Sequence, residues 1–134
     1  MFIVHSMLLL LIPVCMIYYW VDFYMKGGVQ VVSDESYIKF QKAFVAADSW
    51  AAVCAVVGAI GLLTEQTYGM IFAIVTGSSL IFLGLMDIAF NIQNNLYHLI
   101  RSSGQMKFEV LLNLFSLGLG INFIASFAPG FIIA

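Results

Sequence analysis

Four apolar stretches, Phe2 to Val21, Ala43 to Leu63, Tyr68 to Phe90 and Val110 to Ile132, dominate the chain. Each matches the ~20 residues that a helix needs to cross the hydrocarbon core of a bilayer. None alternates with the period of two that a membrane barrel strand requires, so helices are the one way to satisfy the backbone polar groups in lipid. The expected fold is therefore all-α, a polytopic membrane protein with four transmembrane helices in a bundle, read as a single transmembrane domain over 1–134. A composition that is 63% hydrophobic and 9% charged agrees, because soluble domains lie far from both values. The bilayer is the expected main partner, and a net charge of -2 gives nucleic acid nothing to bind.

The connections carry an orientation signal. Residues 25–42 and 91–109 form long polar loops, while Thr64 to Thr67 is a tight link. Lys26, Lys39, Lys42, Arg101 and Lys107 all fall in the two long loops, which share one side in a four-crossing chain. The positive-inside rule makes that side the cytoplasm and puts both termini outside, in a cell's inner (plasma) membrane. Tyr18, Tyr19, Trp20 and Tyr24 then fit an aromatic belt at the inner interface. Lys26-Gly27-Gly28 is expected to stop the first helix, and Ser33 to cap a second helix that starts near residue 34. The third helix is expected to continue past Phe90 through Ile92, Leu96, Leu99 and Ile100 until Ser102-Ser103-Gly104. Pro129 is expected to kink or fray the last turn of the fourth.

The apolar run that starts at Phe2 lacks a preceding Lys or Arg and continues to Tyr24, so it reads as a span rather than a secretory leader. Cys15 and Cys54 sit alone in apolar runs and read as small hydrophobes, with no metal or cofactor implied. Alanines and glycines crowd the second span, and Ala73, Gly77 and Gly84 recur on the third, a pattern suited to close helix contacts, within the bundle or with a second copy or a membrane partner.

Three acidic residues stand out. Asp34, Glu35, Glu65 and Glu109 read as loop or helix-start residues with easy solvation, but Asp22, Asp48 and Asp87 lie at or within spans. There an ionised carboxylate costs several kcal/mol unless it is paired, hydrated or protonated. The topology brings all three towards the basic-loop side, together with Asn91 and Asn113. The candidate site is thus a polar pocket open to the cytoplasm, built on Asp48 and Asp87, with Asn91, Asn113 and Asp22 as further ligand-binding or proton-binding groups. Tyr37, Gln41, Phe44 and Asp48 share a helix face, so Tyr37 and Phe44 are expected to wall the pocket, and Trp50 by its height.

His98 and His5 read as solvated interfacial histidines, since neither has a second ligand at metal spacing. No Ser, His and Asp arrangement suggests hydrolysis, and a general-base role for Asp48 or Asp87 would need His98 within reach. The expected function is a transporter or ligand-binding bundle for a small or cationic ligand. The alternative is a non-catalytic membrane subunit that docks a partner through its small-residue faces.

Overall fold

The computed structural model describes residues 2–26, 35–102 and 104–132. It forms α1 (Phe2–Lys26), α2 (Glu35–Leu63), α3 (Thr67–Gln93), a 3-10 turn (Tyr97–Arg101), α4 (Gly104–Phe127) and a short α5 (Pro129–Ile132). Among the described residues, four helices are long and apolar enough to cross a membrane. The chain is an all-helical integral membrane protein with a four-helix bundle. Gly27, Gly28 and Ser33, read as the stop of one helix and the cap of the next, lie outside the described residues.

Helices outrun the apolar stretches that reveal them. α1 extends to Lys26 rather than Val21 and α4 starts at Gly104 rather than Val110, while α2 starts at Glu35, ahead of its apolar stretch and next to the expected start near residue 34. An apolar run marks where hydrocarbon begins, whereas Gln105, Lys107 and Glu109 are good helix formers and continue the helix into the interface.

α3 is shorter than expected. Instead of continuing through Ile100, it ends at Gln93, where Asn94 donates its side-chain amide to the Phe90 carbonyl at 2.9 Å. Asn95 then turns left-handed (φ 54), a conformation asparagine tolerates, and the Leu96 N–H closes on the Asn91 carbonyl at 2.9 Å. The 3-10 turn that follows lays Leu96 against Met106, and both are almost fully buried. At the other end α4 stops at Phe127, and Pro129 opens α5.

Glycines set the closest helix contacts. At the α2–α3 link the backbones of Gly61 and Gly69 touch so closely that a Cβ on either would overlap the other helix. A Cβ on Gly77 would stand 2.7 Å from the Gly120 carbonyl oxygen, which ties α3 to α4 in the same way. Ala55, Ala59 and Ala73 extend the close approach into a core completed by Leu9, Ile12, Leu62, Leu80, Phe123 and Phe127.

The helices pack in chain order, α1 on α2, α2 on α3 and α3 on α4. The ring closes sparsely between α1 and α4, at the end away from the basic loops. There His5 Nε2 lies 3.2 Å from Ser126 Oγ and meets the Phe127 ring edge-on at 4.9 Å. His5 is buried, not solvated as its position near the end of a span suggested, because α4 brings Phe123 and Phe127 over it. Past this clasp, towards the basic loops, α1 and α4 leave a cavity between them.

Candidate functional site

All four helices line a cavity of about 210 Å³. α1 supplies Tyr19 and Trp20, α2 supplies Gln41, Phe44 and Asp48, α3 supplies Asp87, and α4 supplies Glu109 and Asn113. The far end is apolar, with Leu11, Ile12, Leu80 and Leu119. An enclosed apolar cavity of about 150 Å³ already takes a benzene ring, so this one has room for a small molecule.

Asp48 is held from α1. The Trp20 indole donates to Asp48 Oδ2 at 2.6 Å, and Trp20 is fixed by edge-on contacts with Tyr19 (5.1 Å) and Phe23 (5.3 Å). Tyr19, Trp20 and Phe44 thus give this carboxylate an aromatic surround. Asp87 meets a different set. Gln41 reaches its Oδ1 at 3.4 Å, and the Glu109 carboxyl lies close enough to interact with it directly. Behind Glu109, Asn91 Nδ2 donates to Glu109 Oε1 at 2.8 Å. Gln41, Asp87, Asn91, Glu109 and Asn113 are all at most 8% exposed.

This polar set has two loose ends. Asn113 Nδ2 and Asn91 Oδ1 are buried without a hydrogen-bond partner. A buried unsatisfied amide costs about 1–3 kcal/mol, and such groups call for an explanation. Asn113 belongs to the cavity wall, and its side chain lies near the Asp87 carboxyl. No lysine, arginine or histidine is among the described residues of the wall. Nor do three acidic, His or Cys side chains among the described residues approach closely enough to hold a metal ion, so the carboxyls line a space rather than converge on a point.

The structure therefore brings Asp48, Asp87, Asn113 and Phe44 to one cavity, and places Asn91 just behind it. Asp22 is half-buried and is not part of the wall, and Trp50 is 58% exposed on the outer surface of α2. Both expectations rested on height. Two residues along a helix turn a side chain by about 200°, so Asp22 and Trp50 leave the faces that Trp20 and Asp48 present. The Tyr37 side chain lies outside the described residues.

Gln41, which shares the helix face of Asp48, joins the site, and Glu109, Trp20 and Tyr19 complete it from positions read as loop or belt residues. Glu109 looked solvated because its neighbours are polar, yet it lies one turn from Asn113 on the same face, a spacing that could have flagged it. Trp20 and Tyr19 looked like belt residues, as Tyr18 and Tyr24 are in their exposure. His98 is not part of the wall, and its Nδ1 bonds the Asn95 carbonyl.

The loop end and the flank of the cavity differ. At the basic-loop end Leu96 and Met106 pack with Ile38 and Phe90, and Phe90 stacks flat on Phe40 at 4.0 Å. The exposed wall residues are instead Leu11, Cys15 and Phe115, on the flank between α1 and α4. The folding back of the 3-10 turn brings Leu96 to that end.

Fold and site together define a small four-span membrane bundle with a carboxyl-rich internal cavity. No protein-family model, curated protein or solved structure matches the chain.

Proposed function

We propose that this protein is a membrane-embedded binding bundle for a small organic cation, held between Asp48 on one wall and Asp87 with Glu109 on the other. The observation that supports it is the convergence of three carboxyl groups from three helices on one cavity whose described wall has no basic residue. Carboxylates in that setting need a counter-charge or a proton, and a cation supplies the first. The rings of Tyr19, Trp20 and Phe44 favour a cation further, since a desolvated cation over an aromatic face gains roughly 2 kcal/mol. By the positive-inside rule the carboxyl end lies towards the cytoplasm.

Equilibrium binding of benzyltrimethylammonium to the protein in lipid nanodiscs tests this reading. The wild type is expected to bind saturably. Asp48→Asn and Asp87→Asn should each weaken binding tenfold or more while the protein still reaches the membrane. Binding that is absent from the wild type, or unaltered in the Asp48→Asn/Asp87→Asn double variant, contradicts it.

A further inference from the structure

The cavity is long and polar at one end only. On α1 its wall runs from Trp20 back to Leu11, and on α4 from Glu109 to Leu119. At 1.5 Å per residue these stretches extend about 14–15 Å along the bundle. Gln41, Asp48, Asp87, Glu109 and Asn113 occupy the basic-loop end, and Leu11, Ile12, Leu80 and Leu119 the opposite one. A compact ion would fill the first region and leave the second empty.

The mouth has the same character. Leu11 (45%), Phe115 (53%) and Cys15 are the exposed parts of the wall, all on the flank where α1 and α4 separate. These positions fall within spanning helices, so the mouth faces hydrocarbon rather than water. At the loop end, Leu96 and Met106 back the buried Asn91–Glu109 pair.

We infer that the ligand is a single-chain cationic amphiphile that enters sideways from the bilayer between α1 and α4, head group against the carboxyls and alkyl chain along Leu11, Leu80 and Leu119. The inference rests on the cation-binding reading above and specifies its substrate class. The head carries an ammonium for Asp48 and Asp87. Since about 150 Å³ takes a benzene ring, a cavity of 210 Å³ takes the head group and the first few methylenes of one chain, and the rest of the chain passes out through the mouth into the bilayer.

The test uses n-alkyltrimethylammonium ions from tetramethyl to dodecyl, with dodecyl sulfate as the anionic control, on the full chain in nanodiscs. Two readouts are taken, the dissociation constant and the rate at which Cys15 reacts with N-ethylmaleimide. The expected result is that affinity, after uptake by protein-free nanodiscs is subtracted, rises with chain length, by up to roughly fourfold per methylene moved from water into the cavity. Dodecyltrimethylammonium should slow Cys15 alkylation several-fold while dodecyl sulfate leaves it unchanged. Ser116→Phe, which fills the wall beyond Asn113, should keep tetramethylammonium binding and lose the chain-length gain. If short cations bind in an Asp48- and Asp87-dependent way but chain length and Cys15 protection have no effect, the amphiphile inference fails and the cation site stands. Protection of Cys15 by dodecyl sulfate equal to that by the cation also overturns it. If no cation binds, both readings fail together.

Discussion

The indole of Trp20 on α1 donates a hydrogen bond to the carboxylate of Asp48 on α2 at 2.6 Å, at the level where α1 parts from α4. That bond does two things. It satisfies an intramembrane acid, and it anchors a helix whose other flank is open. Trp20→Phe keeps the aromatic bulk and removes the donor, and should cost about 1–2 kcal/mol of stability in detergent unfolding, the usual net contribution of such a bond. In a cycle with Asp48→Ala the two losses should not add. Strict additivity would show that the bond is inconsequential.

Asn91 acts on Glu109 rather than on the cavity. Asn91→Leu removes the amide that donates to Glu109 Oε1 at 2.8 Å and should destabilise the bundle by roughly 1–3 kcal/mol. Asn91→Asp should do more harm, because it sets another carboxyl beside Glu109 and Asp87. Thermal unfolding in detergent distinguishes the two, and an Asn91→Asp variant as stable as the wild type would contradict this role.

The glycines divide into those that touch and those that do not. Gly61→Ala and Gly69→Ala should lose the folded bundle, since each new methyl meets backbone of the opposite helix with nothing flexible to move aside. Gly118→Ala meets nothing within 4 Å and should be neutral or gain up to about 1 kcal/mol from helix propensity. Expression and size-exclusion profiles in mild detergent check both. The contrast excludes an explanation by glycine flexibility alone.

Tyr97, in the 3-10 turn outside the spans, has its phenol pushed up from 10.0 by burial, with the Asp87 and Glu109 carboxyls adding to the effect. The folded state then holds the phenolic proton more tightly than the unfolded chain does. Its contribution to stability is complete below pH 10 and fades as pH rises through the higher folded value. Stability measured by unfolding at successive alkaline pH values should fall less steeply in Tyr97→Phe than in the wild type. Identical slopes would contradict the assignment.

The bundle was legible because four apolar runs of membrane length leave the backbone few choices. Their ends were not, since hydrophobicity reports the hydrocarbon boundary while Gln105, Lys107 and Glu109 continue α4 beyond it. The site was legible in part. Asp48, Asp87 and Asn113 announce themselves as polar groups where polarity is costly, and α2, α3 and α4 carry them to one cavity. Trp50 and Asp22 failed because height along a helix says nothing of the face. The packing of Leu96 on Met106 needed the turn at Asn94 and Asn95, a local backbone event that hydropathy does not register.

Cation binding at this site requires Asp48, Asp87 and Glu109 to face one shared space. The most direct measurement maps their modification by a hydrophobic carbodiimide, residue by residue, by mass spectrometry with and without dodecyltrimethylammonium. One bound equivalent of the cation should protect all three carboxyls together. Protection of one carboxyl while the other two react at unchanged rates would mean that no common cavity joins them.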